Sequence, residues 1–281
     1  MNELIGSDEL ASTAPATRPP QPRHGGRYLY ALGAAMLACI WLASGDFINV
    51  WQPVAEHFPA RSVLVYVSAA AMLISAVGLF LPRTARIAAV VPTLLYLLFA
   101  WGWITRIMLL PRVFGTWSGC AEELVLVIAG VLLLTTRSGT RFPPPRVVAV
   151  SRVAFGLCAV AFGIIHFDAL AQTAQMVPGW LPGSGRFWAV VTGLGHAAGG
   201  VALIVNFRAR LAAYSLATMY LIIELLVWVP SAWPIHGDPV VWGGNAITIA
   251  IAAAAWVLGD VLAADHRSRR RHSPSLSAAS I

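Results

Sequence analysis

Lysine is absent from these 281 residues, and charge of either sign is scarce. Charged residues make up 11% of the chain, against roughly 25% in a soluble globular domain. So few charges cannot clothe a water-soluble particle of this size. Also missing are a Cys-x-x-Cys pair, a phosphate-binding Gly-Lys-Ser/Thr loop, a His-Glu-x-x-His step and a Gly-x-Ser-x-Gly elbow. Their absence excludes dithiol redox chemistry, a four-cysteine zinc site and the commonest hydrolase and nucleotide motifs. The three cysteines, Cys39, Cys120 and Cys158, stand singly in apolar stretches and read as small buried hydrophobes.

What is present is apolar length. Eight hydrophobic runs, about 28–45, 62–81, 87–105, 118–135, 147–166, 187–206, 210–229 and 242–262, are each long enough to cross a ~30 Å hydrocarbon core at 1.5 Å per residue. The expected fold is therefore all-α, a polytopic membrane protein. Residues 1–27 and 263–281, rich in Ala, Ser, Pro and Arg, read as disordered tails, the second one basic. A basic chain can signal nucleic acid, but here the arginines sit between the runs, where membrane topology needs them, so a lipid bilayer and no nucleic acid is the expected partner. Most arginines, from Arg18, Arg23 and Arg27 through Arg83, Arg86, Arg208 and Arg210 to the C-terminal cluster, fall on one side. Arg61, Arg106, Arg112 and Arg186 fall on the other. The positive-inside rule then predicts both termini in the cytoplasm, and the membrane expected is a bacterial plasma membrane. Every tryptophan but Trp256 lies toward the outer ends, as an interface belt would.

The halves echo each other at an offset of about 120–125 residues. Asp46-Phe47 matches His166-Phe167, Arg86-Ile87-Ala88-Ala89 matches Arg210-Leu211-Ala212-Ala213, and Trp117-Ser118-Gly119-Cys120-Ala121 matches Trp242-Gly243-Gly244-Asn245-Ala246. Four spans per copy make the copies parallel. The plan is two four-helix bundles, 28–136 and 147–262, joined by a Pro/Arg linker at 137–146. Small residues at Ser68, Ala71, Ser75, Gly78, Gly193, Ala197 and Gly200 predict close helix approach, and Pro92 predicts a kink.

Polar groups within the runs are costly and therefore informative. The candidate layer is His166, His196, Glu224 and Asn245 in the second half, with Asp46, Arg106, Glu122 and Glu123 in the first, nearly all in the outer half of the membrane. Arg106 is expected to pair with Glu122 or Glu123. His166 is placed at the outer edge and His196 roughly 14 Å deeper, with Glu224 roughly 8 Å deep. That spacing argues against both histidines ligating one ion, so no metal site is expected and haem is disfavoured. The open readings are a hydrogen-bonded core histidine, a His–Glu proton relay and a quinone head-group contact walled by Trp188 and Trp228.

Gly163-Ile164-Ile165-His166-Phe167, Met176-Val177-Pro178-Gly179-Trp180-Leu181-Pro182 and Thr192-Gly193-Leu194-Gly195-His196 followed by Gly199-Gly200 resemble the steps of the DoxX-like membrane protein family. The resemblance covers most of 151–262 and, weakly, 30–136. His196 stands where that family usually carries Glu. In the first half Ala70-Ala71-Met72 replaces the polar step, and only Phe58-Pro59 is similar to the outer loop. The resemblance implies four-helix membrane units. It also implies a link to quinone, because some relatives are tied to sulfur-compound oxidation and others to redox-stress complexes. Three functions follow as expectations. They are a redox-linked subunit working with quinone and a redox protein partner, an assembly partner of a membrane complex, and a small-solute or proton transporter.

Overall fold

A computed structural model describes residues 25–136, 143–232 and 237–272. The expected tail over 1–24, the linker residues 137–142 and the last residues, 273–281, lie outside the described residues. The described chain is helical throughout: α1 Gly25–Ser44, α2 Arg61–Phe80, α3 Ala85–Ala88, α4 Val90–Leu109, α5 Phe114–Thr135, α6 Pro145–Asp168, α7 Leu170–Met176, α8 Gly185–Ile204, α9 Ala209–Ile223, α10 Val229–Ala232 and α11 Pro239–His272. A π-helical turn, Glu224–Trp228, joins α9 to α10. Among the described residues there are eight helices long and apolar enough to cross a membrane; α3 with α4 makes one, and α9 through α10 another. All eight expected spans are thus present.

Three boundaries differ from expectation. α1 already starts at Gly25, inside the expected tail 1–27, because Gly26 packs closely on Val257 of α11. The presumed C-terminal tail begins as helix, since α11 continues to His272. Ala263 and Ala264 are strong helix formers, no proline occurs before Pro274, and basic residues suit a helix C-terminus. The linker likewise ends early, because Pro145 takes the first helical position of α6, where its missing N–H costs nothing. At Pro92 the expected irregularity is present: the helix breaks at Ala89, and the Thr93 hydroxyl donates to the Ala89 carbonyl at 2.6 Å.

The helices are interleaved rather than split into separate bundles. α1 packs on α2 and on α11, α5 on α4 and on α6, α9 on α8 and α11, and α5 meets α11. The apolar span of α11 is the most enclosed, with a run from Ala252 to Ala255 fully buried. Small residues set this closeness. A Cβ on Gly33 of α1 would lie 2.9 Å from the Ala250 Cβ, and one on Gly163 of α6 would lie 2.9 Å from the Gly193 carbonyl oxygen. Gly33→Val should therefore cost about 1–3 kcal/mol by overpacking and lower the melting temperature in detergent. Gly115→Ala, where the added methyl meets nothing within 4 Å, should leave the melt unchanged. Of the cysteines, Cys120 and Cys158 are buried as expected, whereas Cys39 is exposed on the outside of the bundle.

Candidate functional site

Three features of the second half bring its polar groups together. Ser184 caps α8, accepting from the Phe187 N–H at 3.1 Å, so the helix starts at Gly185. From there to His196 is roughly 16 Å of helical rise, which carries the start of α8 well past the end of α6. Gly193 then lets α8 close on α6, since a Cβ there would meet the His166 Cβ at 3.0 Å. His166 and His196 consequently face each other with ring centroids 4.6 Å apart and planes tilted by 41°. The expected ~14 Å separation in depth is wrong. It assumed that all helices end in one plane, and α8 overhangs.

Each histidine is held the same way. His166 Nδ1 lies 2.8 Å from the Phe162 carbonyl oxygen and His196 Nδ1 lies 2.8 Å from that of Thr192. A carbonyl only accepts, so each Nδ1 carries the proton. In the neutral rings both Nε2 atoms then present a lone pair. Tyr220 of α9 completes the cluster, with its ring 5.3 Å from that of His196 and its hydroxyl buried without a partner.

These groups line a cleft of about 710 Å³ between α6, α8, α9 and α11. Its wall is mainly apolar, with Phe162, Met219, Ile247 and Ile251 on it and Trp51, Trp188 and Trp228 around it. The size falls within the 300–1,000 Å³ usual for small-molecule sites. Val191 of α8 and Ile222 of α9 line it and stand 40% and 49% exposed on the bundle surface, so the cleft opens sideways toward acyl chains. Glu122 reaches the same cleft from α5, where its Oε1 accepts from Ser118 at 3.2 Å.

The remaining candidates are elsewhere. Asp46 is paired with Arg61 at 2.6 Å, and Arg61 also donates to the carbonyls of Val54 and Ala55, so this pair staples the loop after α1. Arg106 does not meet Glu122 or Glu123. It donates to the backbone and side chain of Asn49 at 3.2 and 3.4 Å and lies over Trp103. Being at the end of α4, it turns to the loop, while Glu122 faces the cleft. Glu123 is 1% exposed and its Oε2 has no partner. Asn245 spends its amide on the carbonyls of Trp228 and Val241, tying the π turn to α11. Glu224 opens that π turn, 3% exposed, with both carboxyl oxygens unpartnered. Pro230, which has no N–H to give, follows two residues after its end and accounts for the irregular helix.

Sequence reasoning missed Tyr220 and Trp51. Tyr220 lies four residues before Glu224, on one helical face with it, which was a usable signal. Trp51 sits in a loop and looked like one more interface tryptophan. Among the described residues no group of three or more His, Cys, Asp or Glu is arranged to hold a metal ion. Residues 147–228, which carry His166, His196, Tyr220 and Glu224, match the DoxX family model. No curated protein and no solved structure matches the chain.

Proposed function

We propose that this chain, whose segment 147–228 is of the DoxX family, serves as a quinol-binding membrane subunit. Its cleft takes the ring of a lipid-soluble hydroquinone, and a redox partner protein supplies the electron acceptor. One observation carries the reading: two histidines with both Nδ1 atoms committed to backbone carbonyls, so that two Nε2 lone pairs border an apolar cleft open to lipid. Such atoms accept hydrogen bonds. They suit the hydroxyls of a quinol better than the carbonyls of a quinone, which have no hydrogen to give. Trp188 and Trp228 flank the ring space, and the apolar wall excludes water. When the ring is oxidised its two electrons go to the partner's acceptor and its two hydroxyl protons go one to His196 Nε2 and one to the Glu122 carboxylate.

Two further points belong to the same reading. The membrane is a bacterial plasma membrane, and both termini lie on its cytoplasmic side, the latter supported by the arginine distribution. The chain is a tandem duplication. In support, a Cβ on Gly119 would run into Trp103 at 2.3 Å and one on Gly244 into Trp228 at 2.2 Å, and the two Trp–Gly pairs stand at one common offset.

The test is binding of short-chain quinol and quinone to the full chain in gentle detergent, followed by tryptophan fluorescence. Quinol should bind roughly tenfold tighter, with Tyr220→Phe weakening it about fivefold, the value of one hydrogen bond. Because the Tyr220 hydroxyl has no partner in the protein, the Phe variant should melt no lower than wild type. Equal binding of the two redox forms, or none, would defeat the proposal.

A further inference from the structure

At the opposite end of the molecule, where α6 and α9 begin and α11 passes, lies a second cavity of about 680 Å³. Its lining is unlike that of the cleft. Arg152, Arg208, Arg210 and His266 surround it, with Asp265 as the acid among the lining residues. Arg152 is already engaged: its guanidinium Nη1 donates to the carbonyls of Leu203 and Ile204, closing the end of α8. Arg208 and Arg210 make no side-chain hydrogen bond or ion pair among the described residues. Two unengaged guanidinium groups beside a third thus face one cavity, and one carboxylate does not balance them.

We propose that this cavity binds the phosphate headgroup of an anionic membrane lipid. Guanidinium groups present forked donors that match phosphate oxygens two at a time. The choice of a lipid over a free phosphate rests on the flank. Leu211 lines the cavity and is 57% exposed, next to Arg210 on α9, and Leu262 of α11 lines it as well. An arginine-lined recess opening onto bare apolar helix matches an amphiphile, with its headgroup at the arginines and its acyl chain along Leu211. Basic recesses between helix ends are where headgroups of this class lodge. Under the arginine asymmetry this end lies at the cytoplasmic leaflet, where such lipids supply the negative surface. The bound lipid then bridges the starts of α6 and α9, two helices whose other ends wall the cleft.

Native mass spectrometry of the full chain in mild detergent, with phosphatidylglycerol or phosphatidylcholine added at equal concentration, tests this directly. Phosphatidylglycerol should bind preferentially. Each arginine near a membrane surface is worth roughly a fivefold preference, so Arg208→Gln with Arg210→Gln should reduce it roughly 30-fold. Arg152 is left intact because it holds the end of α8. Should the double variant fold poorly, the single charge reversal Arg210→Glu at an exposed position carries the same test, with a loss of at least tenfold expected. His196→Ala should keep the lipid preference, which separates this site from the cleft. Inorganic phosphate at millimolar concentration is the competing probe, and it should leave lipid binding unaltered. Displacement by phosphate would overturn the lipid assignment in favour of a small-anion site. Equal binding of the two lipids, or a preference untouched by both variants, would overturn the site itself.

Discussion

Changing both His166 and His196 to alanine should abolish quinol binding, lowering affinity roughly 100-fold. The size follows from two hydrogen bonds at about 1–1.5 kcal/mol each, lost together, with the ligand hydroxyls left unpaired in an apolar slot. The fold should tolerate the change. Each ring gives its Nδ1 hydrogen to a carbonyl of its own helix one turn back, and those carbonyls already belong to the helical ladder. The single variants should fall between, and His196→Gln, which keeps an acceptor at the same wall, should retain more affinity than His196→Ala. The measurement is a fluorescence titration beside a thermal melt. A double variant that melts like wild type and still binds quinol would remove the histidines from the site. One that neither binds nor folds would move their role to packing, where the Phe162 and Tyr220 rings that flank His196 already place part of it.

That experiment turns on a juxtaposition that linear reading could not see. The eight spans were legible because lipid demands long apolar stretches, and the interleaving arginines left few alternatives for the helix count. The close α6–α8 contact was half legible, since Gly193 and Gly200 marked a tight face on α8, whereas their partners Gly156 and Gly163 were not recognised as the matching one. Depth was the failure. Counting residues from each hydrophobic edge treats the membrane as two flat planes. α8 overhangs α6 and is buttressed by α7, against which Gly185 packs with a would-be Cβ only 2.2 Å from the Ala174 oxygen. No hydropathy pattern encodes that overhang. Arg106 was misplaced for a related reason: charge complementarity named two glutamates, yet Asn49, in a loop with no hydrophobic signature, was nearer to hand.

The two halves also differ in what surrounds the place of the histidine pair. On the duplication reading, Asp46-Phe47 occupies the place of His166-Phe167. In the first half Trp41, Phe47 and Phe99 pack edge to face with centroids 5.2–5.8 Å apart, Trp41 is fully buried, and Gln52 accepts from its indole at 3.2 Å. Aromatic rings fill the volume there, and Asp46 is drawn outward to Arg61. The second half keeps the polar ring pair and the space beside it. On that reading, pocket and plug are alternative uses of one helical frame.

Replacing Glu224 by methionine should raise stability, by about 1–3 kcal/mol, and with it the melting temperature by several degrees. Both Glu224 oxygens are buried without a partner, so the folded chain bears their desolvation and receives nothing in return. A methionine of similar length removes that cost while filling the same volume, and buried polar groups exchanged for well-packed apolar ones commonly stabilise. The same change at Glu123 removes one orphaned oxygen rather than two and should gain less. Glu224 does not line the cleft, but it opens the π turn whose Leu226, Val227 and Trp228 do, and a group so expensive to the fold beside a site is what function retains against the pull of stability. The prediction is therefore double: Glu224→Met melts higher, and, on the proposed function, its quinol turnover with an added soluble electron acceptor falls. A melt that stays level or drops would mean that Glu224 has a partner in the membrane-embedded protein, and the cost argument would then fail. A melt that rises with turnover unchanged would leave Glu224 outside the function and return the π turn to Pro230 alone.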